Sequence, residues 1–325
     1  MRRLAGLVVS ILLCTSCTGG RDAPASGPVP SAPVTTRPIP TSAMPTLTAS
    51  VHPPSAPRFD DAAAMATVRH LAAIGPREAT GAGYRIAATW VSGQLTHAGY
   101  RVERRPVSVP AGVSWGVPVP AGRTWNLVAT APGTDLTAPY LLVGAHLDTV
   151  PQAPGAEDNA SGIAVLLGLA RMFGPAGGAR ARLPVVLVAF GAEEPRGDGD
   201  ARHHYGSRAY VASMPAAHRA ALRGMVSLDR VGVGRVVPVC AANAGGRALQ
   251  AELLAAAARS GTDTRRCTNR SSDHWSFARA GLAGVRLGST PYAGYHSAHD
   301  LPAVVDRAQL ARTARVLTAW LSPAR

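Results

Sequence analysis

The chain contains no lysine, so all 33 of its basic residues are arginine, scattered among Ala, Gly and Pro rather than gathered into blocks. This pattern reads as coding bias. A formal net charge of +14 would suit nucleic acid or an anionic surface. Without a basic run, aromatic-basic interleaving or a recognition module, it describes solvated surface arginine instead, and no nucleic-acid partner is expected. Nor is there an apolar stretch of the roughly 20 residues that a membrane-spanning helix needs. The 46% of hydrophobic residues in a chain of 325 is enough for one large domain or two small ones. No G-x-S-x-G elbow surrounds Ser272, and Ser272-Asp273-His274 is not read as a serine-hydrolase triad, whose members converge in space rather than in sequence. No repeat at periods of about 20 to 50 residues marks a solenoid.

Only four cysteines are present, two of them near the N-terminus. There Arg2 and Arg3 precede the apolar run Leu4 to Leu13 and then small residues before Cys17, the layout of a secretory signal peptide over residues 1–17. Export is therefore expected. Thr15-Ser16-Cys17 resembles a bacterial lipobox, which implies a lipid anchor on Cys17 as the only membrane attachment, although Cys14 stands where that box prefers leucine. Residues 18–57, rich in Pro, Ser, Thr and Ala, bury too little apolar surface to fold and read as a disordered tether. Cys240 and Cys267 remain in the body. An even pair in an oxidising compartment is expected to form a disulfide, since neither has a second cysteine or histidine at ligand spacing.

Asp60 and Asp61 offer N-caps to a helix through about Ile74, where a folded domain covering residues 58–325 begins. A second amphipathic helix is predicted between Gly81 and Gly99. Strand-like runs follow at Arg101 to Val109, Trp125 to Ala131, Tyr140 to Ala145, Val185 to Phe190, Met225 to Leu228 and Val285 to Leu287. Helical patterns appear at Ser161 to Phe173, Gly246 to Ser260 and Asp306 to Leu321. This alternation predicts an α/β fold with a single mixed, mostly parallel central sheet covered by helices on both faces.

His146 and Asp148, Glu157 and Asp158, Glu193 and Glu194, and Asp229 all stand at or near the ends of apolar runs. Buried ionised groups are costly unless paired or bound to cations, and open α/β sheets build their sites at the carboxyl ends of strands. His146, Asp158, Glu194 and Asp229 could thus converge on one rim as a metal site. Imidazole and oxygen ligands without thiolates suit Zn2+, with Mn2+ or Co2+ as alternatives. The excess of acidic groups over what one ion needs favours a pair bridged by a carboxylate, about 3.5 to 4 Å apart.

In their order, His146-Leu-Asp148, Asp158-Asn-Ala-Ser-Gly162, Glu193-Glu194, Leu228-Asp229 and Tyr295-His296 resemble the bacterial secreted di-zinc aminopeptidases, the co-catalytic zinc exopeptidases. Leu71-Ala-Ala-Ile-Gly-Pro-Arg77 and Asn126-Leu-Val-Ala-Thr130 extend the resemblance over roughly residues 58–325. It implies that His146 and Asp229 hold one zinc, Glu194 and His296 the other, and that Asp158 bridges them. It also implies that Asp148 orients His146, that Glu193 is the general base, and that the Tyr295 hydroxyl donates to the developing oxyanion. Asp158 precedes the Ser161 helix, whose N-terminal dipole favours an anion. The implied substrates are peptides with a free N-terminus.

Other readings stand beside this one. The zinc carboxypeptidase and deacylase group also carries His146-Leu-Asp-Thr-Val-Pro151, but usually places its bridging aspartate farther along and inserts a dimerisation domain. A non-catalytic peptide-binding relative would not need every catalytic position, and glutaminyl-cyclase-like chemistry would leave His146 and Asp229 without a metal. Asp229 could pair with Arg230 at the surface. His299 is read as a loop residue, His203 and His204 as part of a solvated loop, and His70, His97 and His218 as exposed on helices. Ser272-Asp273-His274 is assigned to the support of the site. Oligomeric state is not legible.

Overall fold

The computed structural model describes residues 58–323 together with Gly27. The expected signal peptide, Cys17 and the tether lie outside the described residues. Asp60 caps the first helix, its carboxylate accepting from Ala63 N at 2.9 Å, and α1 runs Asp61–Ala73. In α2 (Ala82–His97), Tyr84, Ala87, Val91 and Leu95 are buried, as their spacing predicts. Next come β1 (Arg101–Val109), β2 (Gly112–Ser114), β3 (Val117–Val119), β4 (Gly122–Thr130), β5 (Tyr140–His146), α3 (Ser161–Phe173) and β6 (Val185–Phe190). The remainder is α4 (Tyr205–Ser213), α5 (Ala216–Ala221), β7 (Leu222–Leu228), β8 (Val237–Ala241), α6 (Arg247–Arg259), β9 (Thr264–Thr268), α7 (His274–Arg279), β10 (Gly284–Leu287) and α8 (Arg307–Leu321). Among the described residues no helix is long and apolar enough to cross a membrane.

All strands except the β2–β3 hairpin join one eight-stranded sheet in the order β1-β4-β6-β5-β7-β10-β8-β9. β6, β5, β7 and β10 are mutually parallel, β1–β4, β4–β6 and β10–β8 are antiparallel, and β8–β9 is parallel. The mixed sheet expected from the sequence is therefore present. Side chains alternate across a strand. Leu141, Val143 and Ala145 enter the main core with α1, α3 and α8, whereas Tyr140 and Leu142 pack with Tyr210 and Phe277 from α4 and α7 on the other face. Both faces are covered, so the central strands are apolar throughout. Because β5, β6, β7 and β10 are parallel, the loops that follow them all leave from one edge.

β8 and β9, which the sequence reading omitted, close one side of the sheet. Cys240 and Cys267 face each other in the β8–β9 register with Cα atoms 4.4 Å apart, and they form the expected disulfide. The half-exposed β9 has few apolar contacts of its own, so this bond fixes the edge. Replacing both cysteines by serine should lower stability by about 3 to 4 kcal/mol through the entropy of the loop that the bond closes. Denaturant midpoints of the oxidised protein and the double variant measure the difference, and equal midpoints would show that the bond does not constrain the chain.

Candidate metal centre

β5 ends on His146, β6 is followed three residues later by Glu193, β7 directly by Asp229, and the loop after β10 carries His296. Asp158 arrives from the turn before α3. Parallel packing thus gathers five chain segments at one rim, and all of these side chains are buried. His146 Nε2 lies 3.1 Å from Asp158 Oδ1 and 3.8 Å from Asp229 Oδ1. His296 Nε2 lies 3.1 Å from Asp158 Oδ2 and 3.4 Å from Glu194 Oε2. The two oxygens of Asp158 therefore face two separate groups, His146–Asp229 on one side and Glu194–His296 on the other. Within each trio the nearest ligand atoms fall inside 4.8 Å of one another, as they also do for His146, Glu193 and Glu194.

Asp158 Oδ1, Glu194 Oε1 and Asp229 Oδ1 make no hydrogen bond in the protein despite being buried. Burial, with the charges of Asp158 and Glu193 added, holds the Glu194 carboxyl well above the usual carboxylate range. Burial also works against ionisation of Asp229, but Arg286, 3.0 Å away, and His146 together outweigh it and keep that carboxyl below its ordinary value. A buried group of carboxylates with open lone pairs, two imidazoles and no thiolate fits divalent cations.

The supporting contacts refine several expectations. Asp148 meets the His146 ring with its backbone carbonyl, 3.1 Å from Nδ1, while its carboxylate stands 3.7 Å away. That carboxylate accepts instead from Glu193 N at 3.0 Å and Glu194 N at 3.1 Å, so it aims the Glu-Glu turn as well as the ring. Asp158 does not cap α3. Its backbone is extended, and Asn159 Oδ1 takes the cap bond from Gly162 N at 3.0 Å. Gly162 is required there because a Cβ would collide with Asn159 and with Leu228 O, where α3 crosses the end of β7. Asp229 and Arg230 are not a surface pair. Asp229 is buried against Arg286, and Arg230 stacks over the Tyr295 ring at 4.2 Å. Tyr295 in turn stacks on His296 at 3.7 Å, and Trp115 at the tip of the β2–β3 hairpin lies 4.4 Å from the same imidazole. His299 is exposed, as expected.

His204 departs from expectation most clearly. It is buried, with Nε2 3.1 Å from Glu193 Oε1, while its neighbour His203 is half-buried. Arg77, Glu157, Arg286 and Asp300 are also buried participants whose contacts the sequence did not predict. Asp300 accepts from Glu157 N and Asp158 N at 2.8 and 3.0 Å, and Glu157 accepts from Gly232 N and Val233 N. Arg77 donates to the carbonyls of Leu71, Leu147, Pro154 and Gly155. The Gly-Pro-Arg77 motif and the aspartate following His296 were the available signals.

A model of peptidase family M28 matches residues 126–321. The chain belongs to peptidase family M28. Leupeptin-inactivating enzyme 1 of Streptomyces exfoliatus is 29% identical over 191 residues, which make up 57% of this chain and 39% of that protein. The Escherichia coli K12 protein YfbL is 33% identical over 133 residues, 37% of this chain and 36% of its own length. The chain thus spans less than half the length of these curated relatives. The zinc aminopeptidase BSAP of Bacillus subtilis superposes with a TM-score of 0.70 at 17% identity, covering 81% of this chain and 94% of that one. A glutaminyl cyclase of Bacteroides thetaiotaomicron does so with a TM-score of 0.69 at 19% identity, covering 83% and 100%. At such identities the shared property is the fold.

The M28 domain also buries Ser272, Asp273 and His274, with both carboxylate oxygens of Asp273 lacking a partner. Burial and the charge of Glu193 push the Asp273 carboxyl up to about 7, whereas an unfolded aspartate titrates near about 3.9. The folded state therefore binds this proton more tightly, and the stability it contributes is lost as pH rises through that window. Relative to Asp273→Asn, the wild type should lose stability between about pH 4 and 7, at up to about 1.4 kcal/mol per unit of pKa difference. Denaturant midpoints across that range at constant metal supply test this, and parallel pH profiles would count against it.

Proposed function

We propose that this member of peptidase family M28 is an exported aminopeptidase that holds two zinc ions and hydrolyses the N-terminal residue from peptides. The observation that carries this reading is the pair of ligand trios sharing Asp158: His146, Asp158 and Asp229, and Asp158, Glu194 and His296. The adjoining cavity, about 190 Å³, is smaller than the roughly 300–1,000 Å³ of pockets that enclose a whole small ligand. Such a cavity accommodates a chain end, which supports exopeptidase action.

Zinc bound there would supply Lewis acidity for the scissile carbonyl and acidify the attacking water. The protein's own groups do the rest. Glu193, aimed by Asp148 through the backbone of the Glu-Glu turn, takes the proton from that water and returns it to the leaving amine. Tyr295 lines the same cavity, where its hydroxyl can donate to the oxygen that gains charge. Glutaminyl-cyclase-like chemistry needs only one trio, so the second complete trio favours the peptidase. The lipid anchor at Cys17, with residues 18–57 as spacer, belongs to the same proposal.

Glu193→Gln should retain metal but lose about 10²- to 10⁴-fold in kcat, measured on amino-acid p-nitroanilides beside metal analysis. N-blocked peptides should not be cleaved, and chelator should stop turnover. His296→Ala should lose one metal position and activity, while His299→Ala should keep both; the reverse would move the ligand to His299. For the anchor, mass spectrometry of the mature N-terminus should find acylated Cys17, and an unmodified N-terminus elsewhere would remove that part of the proposal.

A further inference from the structure

Five non-glycine residues among those described have positive φ: Trp115, Ala192, His204, Arg230 and His296. Four of them line the cavity at the metal centre, and the fifth precedes Glu193. His204 holds φ +57 and ψ +35, a left-handed conformation that is strained for a residue carrying a β-carbon. Glycine would adopt it freely, so the imidazole itself calls for an explanation. The backbone around it is tied down. His204 N donates to Glu193 O at 2.9 Å and Tyr205 N to Ala192 O at 2.8 Å, bringing the loop back alongside the turn that carries the base. Asn126 clamps the same junction, its Nδ2 donating to Gly206 O at 2.8 Å and its Oδ1 accepting from Gly191 N at 3.0 Å. The result points His204 Nε2 at Glu193 Oε1, 3.1 Å away, the only salt-bridge partner of that carboxylate among the described residues.

We infer that His204 is a positioning residue that holds the Glu193 carboxylate in its working orientation. The inference rests on the reading of Glu193 as general base. A glutamate has three side-chain torsions, and the negative charges of Glu194, Asp158 and Asp229 would drive an untethered Glu193 away from the cluster. A base must stand within hydrogen-bond reach of the proton it takes, and a donor on Oε1 leaves Oε2 as the free oxygen. His204 is also the wall between the metal-site cavity and a second cavity of about 290 Å³ bordered by Asp200, Arg208 and Trp275. That second space gives small molecules a route to the position of the imidazole.

Three variants of the full chain test this. His204→Phe keeps the ring volume without a donor, His204→Gly also relieves the backbone, and His204→Gln retains a neutral donor. The first two should lose about 10- to 100-fold in kcat, as when a partner supporting a functional group is removed, with KM and bound metal within twofold of the wild type. His204→Gln should recover most of the loss. Added imidazole should raise the kcat of His204→Gly while leaving that of the wild type unchanged or lowered. Wild-type kcat in His204→Phe, or loss of metal in step with loss of activity in His204→Gly, would overturn the inference. Full activity in Glu193→Gln would instead remove the reading of the base, so the two failures are distinguishable.

Discussion

Everything at the sheet rim answers to the cost of confining Asp148, Asp158, Glu193, Glu194 and Asp229 with the imidazoles of His146, His204 and His296 in one buried space. Arg230 and Arg286 are the cations in contact, too few to balance them. The surrounding layer is satisfied largely by backbone. Asp148 takes two amides of the loop after β6, Glu157 takes amides of the loop after β7, and Asp300 takes amides of the turn before α3. Each of these carboxylates therefore staples one loop to another. Arg77 does the converse, gathering carbonyls from three segments. Loops with no regular structure of their own are rigidified by charge-assisted bonds to neutral groups, which leaves the open lone pairs of the central cluster for cations.

Backbone strain has the same address. Among the described residues, the non-glycine residues with positive φ collect around this site rather than in turns over the surface at large. Such conformations persist only where surrounding structure determines them. Here the determinants are visible in the paired amides at His204, the hairpin that presents Trp115, and the stack of Arg230, Tyr295 and His296.

Much of this was legible in the sequence because the central strands are apolar runs of the right length, and because His146, Glu193, Glu194 and Asp229 stand at or just past the ends of three of them. The helices from Asp61, Ser161 and Arg307 and the strand from Val185 appear within a residue of where periodicity put them. β9, Thr264–Thr268, escaped notice because Arg265 and Arg266 give it no apolar pattern. β8, Val237–Ala241, is only five residues long and runs directly into the small residues that precede α6. His204 was hidden for a different reason: the stretch before it is polar and glycine-rich, and its return to Glu193 is a tertiary event with no local signature. Arg286 was masked by the valine and leucine around it in β10. Its partner Asp229 is 57 residues away, a separation that no spacing rule reports.

The outermost strands put the arginine excess in another light. β1 bears Arg101, Arg104, Arg105 and Pro106, and β9 bears Arg265 and Arg266, with most of these side chains exposed. An open sheet ends in unpaired amides and carbonyls that invite a further strand from a neighbouring molecule, and charge or proline along the margin discourages such pairing. With both margins guarded this way, and β9 bonded covalently to β8, the domain resists self-association through its sheet. For a chain rich in alanine and valine, part of the positive charge thus acts as a safeguard against aggregation.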